Sequence, residues 1–493
     1  MATPSVAQIY AFGANVQSAG VSSSSYTIRV ANQWGAGNTV AVIIEMSHGN
    51  TLSAMHDDAG TTNTWSTTAN VSADSGTGGF LTNAYILGNV NAGGRVLTVT
   101  LTSSDDNVKF TVIEFYNTAS SSIVGSTTQS HTAAAPTVSA PAITGTSGSL
   151  LIQYGIDNSN LIGLGNNAVT TITAGSSWTM LAGDYAANST ANSAMNSWAM
   201  QSITATGSSQ TPSFTTSGTA TYNTICFEIK GGTTGTAPAA GIHINKVHCF
   251  TNTNIQTTPM KLFFPGTGNC IVLFEDTGSL RSAPSDTVGN SWTLDVTGTS
   301  APVTPVAHAK NVAVSQTNAI SCPCVSDSGN ASGSNPVNTS YYVFDIGGAD
   351  TNNPKVQTVT FPVTSEGTSW SGTCSITPQT KNGLILNYAG TGIGPILTQT
   401  GPSGSFYISP NYTGETDGDS MNNANAMSVT YYGSSLSAQS YGYTIASGTT
   451  INATAIEIQI PPQLAGDEDF WLPGGSDGRP PRRRELEPVV TVF

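Results

Sequence analysis

Charge is scarce in this chain. Only 9% of its 493 residues are Asp, Glu, Lys or Arg. Charge-poor chains are common in membranes, yet no apolar run here approaches the roughly 20 residues that a spanning helix needs. Helical periodicity is missing too: no stretch longer than about ten residues repeats its apolar positions at the helical period. Cysteine is sparse, with six in all, which excludes a disulfide scaffold. Cys322-Pro323-Cys324 has one intervening residue, whereas zinc sites favour two. Free core thiols are expected, with one disulfide among Cys249, Cys270, Cys322 and Cys324 as the alternative. Basic residues number 14 against 28 acids, a net charge of −14, which disfavours nucleic-acid phosphate as a partner. Met1-Ala2-Thr3-Pro4-Ser5 offers neither a basic n-region nor an apolar h-region, so synthesis in the cytoplasm is the expectation. The G-x-S-x-G, H-E-x-x-H and P-loop signatures are lacking, and no pair of carboxylates stands out for glycoside hydrolysis. No enzymatic activity, cofactor or metal is expected.

What the chain does have is short segments rich in Val, Ile, Tyr and Thr, bounded by Gly, Asn and Ser. These are strand and turn signals. They are organised around a triplet written four times, an acid flanked by large apolar residues: Ile113-Glu114-Phe115, Phe227-Glu228-Ile229, Phe344-Asp345-Ile346 and Ile456-Glu457-Ile458. The acids lie 114, 117 and 112 residues apart. Alternation puts the apolar pair on one face of a strand and the acid on the other. Glycine-led strands at Gly37, Gly148, Gly268 and Gly383 keep the same period. An aromatic follows each of them: Trp65, Trp178, Trp292 and Phe406.

The spacing predicts an all-β protein of four serial antiparallel β-sandwich modules, jelly-roll or Ig-like, with seven or eight strands in about 115 residues each. Their bounds are 1–118, 119–233, 234–348 and 349–462, followed by an extended tail, 463–493. Two larger domains of about 230 residues with internal symmetry are the alternative. Residues 118–140 and the run Gly231 to Gly241 (GGTTGTAPAAG) read as linkers.

The stretch Asp286-x-x-Gly289-Asn290-x-Trp292 lies between a Gly268–Leu273 strand and an Ala307-His308-Ala309-Lys310-Asn311 strand. It resembles a diffuse group of β-sandwich modules found in tailed-phage structural and adhesion proteins and in bacterial surface proteins. Unit 1 carries a degraded version, Asp58-Ala59-Gly60 with Trp65. The resemblance implies a structural or adhesive role and transfers no functional residue.

Candidate chemistry is thin. His48, His56, Asp57 and Asp58 read as a polar loop, and His243, His248 and Cys249 as strand residues facing opposite sides. Glu415-Thr416-Asp417-Gly418-Asp419-Ser420 has oxygen ligands at alternate positions but lacks the full calcium-loop frame. Glu114, Glu228, Asp345 and Glu457 lie in different units, so they read as structural, serving sheet-face solubility or contacts between units. The recurring Trp residues read as core plugs.

The tail breaks the repeat. Four of the 14 basic residues fall in 479–484, against a body of net −12 over residues 1–466. Phe470 and Trp471 read as aromatic anchors, and Arg482, Arg483 and Arg484 as a group that meets an acidic surface. Val490, Val492 and Phe493 belong to a terminal strand able to add to a sheet edge. The leading expectation is a non-enzymatic virion protein of a tailed phage: a capsid decoration, fibre or adhesion protein. It would be made in the host cytoplasm and bound through its tail to copies of itself or to other virion proteins, with a host surface glycan as a further partner. A secreted bacterial adhesin or extracellular filament subunit, and a carbohydrate-binding protein, are the alternatives.

Overall fold

The computed structural model describes residues 2–13, 23–59, 63–76, 79–105, 108–157, 171–186, 198–255, 260–264, 269–275, 280, 282–297, 304–313, 315, 318–322, 337–361, 369–391, 396–408, 425–446 and 451–462. These residues are all-β, with no helix among them. Among the described residues no helix is long and apolar enough to cross a membrane.

Unit 1 contains β1 (Ser5–Gly13), β2 (Ser23–Arg29), β3 (Thr39–Ser47), β4 (Leu52–Asp57), β5 (Val71–Asp74), β6 (Phe80–Leu87), β7 (Val96–Asp105) and β8 (Lys109–Tyr116). Unit 2 contains β9 (Thr118–Ser139), β10 (Ile143–Thr144), β11 (Leu150–Asp157), β12 (Ile172–Ala174), β13 (Thr179–Ala186), β14 (Trp198–Thr204), β15 (Ser209–Gln210) and β16 (Ser213–Gly231). Unit 3 contains β17 (His243–Ile255), β18 (Met260–Phe263), β19 (Cys270–Glu275), β20 (Ser285–Asp286), β21 (Trp292–Val296), β22 (Val306–Lys310), β23 (Ala319–Cys322) and β24 (Val337–Gly347). Unit 4 contains β25 (Lys355–Phe361), β26 (Ser369–Ile376), β27 (Leu384–Thr391), β28 (Ile396–Thr400), β29 (Phe406–Ile408), β30 (Asn425–Tyr431), β31 (Gln439–Ala446) and β32 (Ile451–Ile458).

The strand order repeats with a period of eight. The main sheets run β1-β8-β3-β6-β5 reversed into unit 3, β9-β16-β11-β14-β13, β17-β24-β19-β22-β21 and β25-β32-β27-β30-β29. In every unit the first strand pairs the eighth, the second the seventh and the third the sixth. Such nested pairing is a long hairpin rolled on itself, the eight-stranded jelly roll.

The units are not strung out. β1 pairs β17 in parallel, Ile9 opposite Lys246 through Gly13 opposite Phe250, which fuses the main sheets of units 1 and 3 into ten strands. β13 pairs β18, so the main sheet of unit 2 continues into the second sheet of unit 3. Sheets therefore cross the unit borders, and among the described residues the one parallel ladder joins two equivalent strands.

The triplets explain the packing. Ile113 and Phe115 of unit 1 share an apolar layer with Phe227 and Ile229 of unit 2, together with Ile43, Ile152 and Tyr154. Phe344 and Ile346 of unit 3 share one with Ile456 and Ile458 of unit 4, together with Val272, Phe274 and Tyr388. Units 1 and 2 thus pack face to face, and units 3 and 4 repeat the arrangement. Burying each such side chain contributes roughly 1.5–3 kcal/mol. The strands between two layers are buried on both faces: on β3, Val40, Val42 and Ile44 face the interior of unit 1, and Ala41 and Ile43 face unit 2. Polar contacts repeat as well. Asn223 Nδ2 donates to Phe80 O at 2.6 Å across units 1 and 2, and Thr454 Oγ1 to Thr304 O at 2.9 Å across units 3 and 4.

Both expected linkers are structured. The Ser- and Thr-rich stretch after residue 118 is β9, a strand of 22 residues laddered along β16. Thr tolerates a pleated surface, and the long β16 edge satisfies its backbone. In the run after Gly231, Gly232 bridges Ala2, and Thr234 bridges Thr118. Thr236 N donates to Asn38 Oδ1 at 2.6 Å. A side-chain carbon on Gly231 would lie 2.5 Å from the Ala2 carbonyl oxygen, and one on Gly232 would overlap the Thr118 backbone. The glycines are there for close approach rather than flexibility. Gly232→Ala is expected to lower stability by about 1–3 kcal/mol, seen as a lower denaturant midpoint. A free linker would leave the midpoint unchanged.

Candidate functional site

The recurring acids form the most elaborate polar sites in the fold. Glu114, Glu228, Asp345 and Glu457 are all buried, at 2% exposure or less. They therefore do not lie on a solvated face, contrary to the solubility role expected from alternation. The alternation itself holds, but both faces of these strands are covered.

Each acid with a described loop points into its own unit and holds the loop before the third strand. Glu114 Oε1 accepts from Gly35 N and from Asn38 Nδ2, both at 2.6 Å. Glu228 Oε1 accepts from Thr146 N at 2.8 Å. Glu457 accepts from Gln379 N, Thr380 N and Thr380 Oγ1, each at 3.0 Å, and from Tyr432 OH at 2.6 Å. Gly35, Thr146 and Thr380 each stand four residues before their strand, β3, β11 or β27. The loop amides that meet the acid are partly buried and need acceptors inside the protein, and a carboxylate supplies several lone pairs at once. The matching loop of unit 3, 265–268, lies outside the described residues.

A second donor reaches the acid from the first strand. Gln8 Nε2 donates to Glu114 Oε2 at 2.7 Å, and Gln357 Nε2 to Glu457 Oε2 at 2.6 Å. Lys246 occupies this place opposite Asp345. Burial pushes the Glu114 carboxyl up, against the pull of Gly35, Gln8 and Asn38. Sequence reading missed Gln8, Lys246 and Gln357. The signal was present: each precedes its acid by 99 to 106 residues.

The Asp286 turn is also self-contained. Asp286 accepts from Asn290 N at 2.9 Å, Asn290 Nδ2 at 2.7 Å and Trp292 Nε1 at 2.9 Å, and Gly289 takes a positive φ of 75°. Asn290 Oδ1 then accepts from Ala313 N at 2.8 Å. Unit 1 repeats this with Asp57, not Asp58. Asp57 Oδ2 accepts from Asn63 Nδ2 at 2.8 Å and Trp65 Nε1 at 3.2 Å, and Asn63 Oδ1 accepts from Asn91 N at 2.8 Å. Two extra residues between acid and amide hid the match. Asp58 instead accepts from Arg95 N and Val96 N.

The remaining candidates disperse. His48 Nδ1 meets Asp74 at 2.7 Å on the surface, and His56 is exposed on β4. His243 Nδ1 contacts Gly241 O at 2.7 Å. His248 stacks on Trp198 with centroids 5.6 Å apart, whereas Cys249 packs on the other face. Cys226, Cys249, Cys270 and Cys374 are buried free thiols. Trp65 and Trp178 are buried, and Trp292 packs against the core of unit 3. Among the described residues, no three His, Cys, Asp or Glu gather as metal ligands. One cluster was not anticipated: the covered side chain of Asp295 joins His308 Nδ1 at 2.6 Å and Lys355 Nζ at 2.8 Å, tying β21 and β22 to β25 of unit 4. Glu415–Ser420, Cys324 and the tail residues Phe470, Trp471, Arg482, Arg483, Arg484, Val490, Val492 and Phe493 lie outside the described residues.

These side chains direct their polar atoms at the protein's own backbone and unit junctions. Their chemistry is that of holding loops, turns and sheets together. No family model matches the chain, and no curated protein matches it.

Proposed function

We propose that this chain is a non-enzymatic structural protein of a tailed-phage virion, acting as a capsid decoration, fibre or adhesion protein. One observation carries the reading: the same nested eight-strand pairing occurs four times, and three of the four recurrent acids serve their own unit's loop. Jelly rolls are common in viral capsid proteins and lectins, an analogy of fold alone. The charge-poor composition, rich in hydroxyl and amide groups, fits a surface that packs against other proteins.

The tail, 463–493, is the assembly element in this proposal. Phe470 and Trp471 anchor it, Arg482–Arg484 meet the acidic body of a neighbouring copy or another virion protein, and Val490, Val492 and Phe493 add to a sheet edge. Mass spectrometry of purified particles tests the role: the chain is expected among the particle proteins, and its absence from any assembled particle overturns the reading. Deleting 467–493 should leave the four units folded and abolish incorporation. Normal incorporation of the truncated chain would remove the tail from the account.

A further inference from the structure

The place opposite the recurring acid holds a glutamine in units 1 and 4 and a lysine in unit 3. Gln8 and Gln357 are amides, inert toward the carboxylates they bind. Lys246 is a primary amine and stands directly across the β17–β24 ladder from Asp345. Opposed residues of such a ladder hold their Cβ atoms about 4.5–5.5 Å apart. A four-carbon side chain can fold back over that distance onto a short one. Both residues are buried, Lys246 at 6% and Asp345 at 1% exposure. The amine lies 5.0 Å from the Phe264 ring centroid and donates to Leu181 O at 2.6 Å. Burial draws it down to about 8, against the opposing pull of Asp345. A useful fraction is then neutral and nucleophilic near neutral pH.

We propose that Lys246 and Asp345 form an intramolecular amide crosslink between the first and last strands of unit 3. The Lys246 Nζ bonds to Asp345 Cγ, and one Cγ–O bond breaks. The departing oxygen takes two of the three ammonium protons and leaves as water. The third proton stays on the amide nitrogen, where it can still serve Leu181 O. An ammonium and a carboxylate become one neutral amide, and no oxidant or co-reactant is needed. In water, hydration of the two ions opposes this reaction. In the buried site that hydration is already lost, so removing both charges favours the amide. Only unit 3 carries an amine at this position, so only unit 3 closes. The bond would fasten the start of β17 to the end of β24, so that unit 3 cannot be unravelled from either end. The inference does not rest on the virion reading.

Intact mass of the purified full-length protein, denatured and reduced, decides the matter. The expected value is one water, about 18 Da, below the sequence mass. A protease digest should yield a branched peptide joining the Lys246 and Asp345 segments, with no cleavage after Lys246. Asp345→Ala should restore the full sequence mass. If that variant does not fold, the wild-type digest still decides. Full sequence mass with linear peptides ending at Lys246 overturns the proposal, as does a mass loss that maps to another pair.

Discussion

Glu457→Ala is expected to cost unit 4 on the order of 4–5 kcal/mol, at the upper end of single substitutions. The carboxylate accepts from two backbone amides, a threonine hydroxyl, the Tyr432 hydroxyl and the Gln357 amide. Hydrogen bonds to a charged group contribute about 1.5–3 kcal/mol each, and removing the acceptor leaves the buried Tyr432 hydroxyl and the part-buried donors without it. Glu457→Gln keeps one acceptor oxygen and is expected to fall between wild type and alanine. Amide hydrogen exchange over residues 377–383 is the readout. The alanine variant should lose protection at Gln379 and Thr380 first, because their amides donate to Glu457, whereas Asn382 N donates to Gly433 O. An alanine variant as stable as wild type would mean that the recurring acids hold nothing.

Alkaline pH is expected to have a larger effect. Burial raises the thiols of Cys226, Cys249, Cys270 and Cys374 above their ordinary value, and likewise the phenols of Tyr431, Tyr432 and Tyr441. A group raised in the folded state contributes stability that is complete below its unfolded pKa and lost as pH climbs past it. The window therefore opens near pH 9 for the thiols and near 10 for the phenols. Each fully shifted group costs about 1.4 kcal/mol per pH unit. By pH 11 Cys226 and Cys270 alone remove on the order of 6 kcal/mol. An uncrosslinked Lys246 amine, depressed to about 8, works the other way between pH 8 and 10.5, as one group against seven. The proposed crosslink would remove even that. Denaturant midpoints measured under reducing conditions should fall steeply between pH 9 and 11. A flat profile, or native thiols that ionise near pH 9, would contradict the burial.

The class of the fold was legible because strand segments, turn residues and a long period all point the same way. Nested pairing was not, since the period fixes where strands recur but not which of them meet. The triplets carried more than alternation could reveal. Phe227 and Ile229 look like one face of a half-buried strand, yet their face meets a second unit, and Glu228 faces a second sheet. A strand buried on both faces by separate layers still alternates, so polarity alone misplaces the acid in water. The linkers misled for a related reason. Gly231 and Gly232 have the composition of a flexible hinge, but their lack of a side chain lets backbones touch. Composition cannot separate these two uses of glycine. At the Asp286 turn the spacing was unbroken and readable. In unit 1 the two extra residues moved the role from Asp58 to Asp57.

Small-angle X-ray scattering of the full chain tests most directly the claim that the four units pack as two pairs into one body. A compact chain of this length should give a radius of gyration of about 23 Å. Four separate units of roughly 35 Å in a line would span about 140 Å and give about 40 Å. The triplet layers and the β1–β17 ladder require the first value. A radius near the second, with a profile of separated bodies, would contradict them.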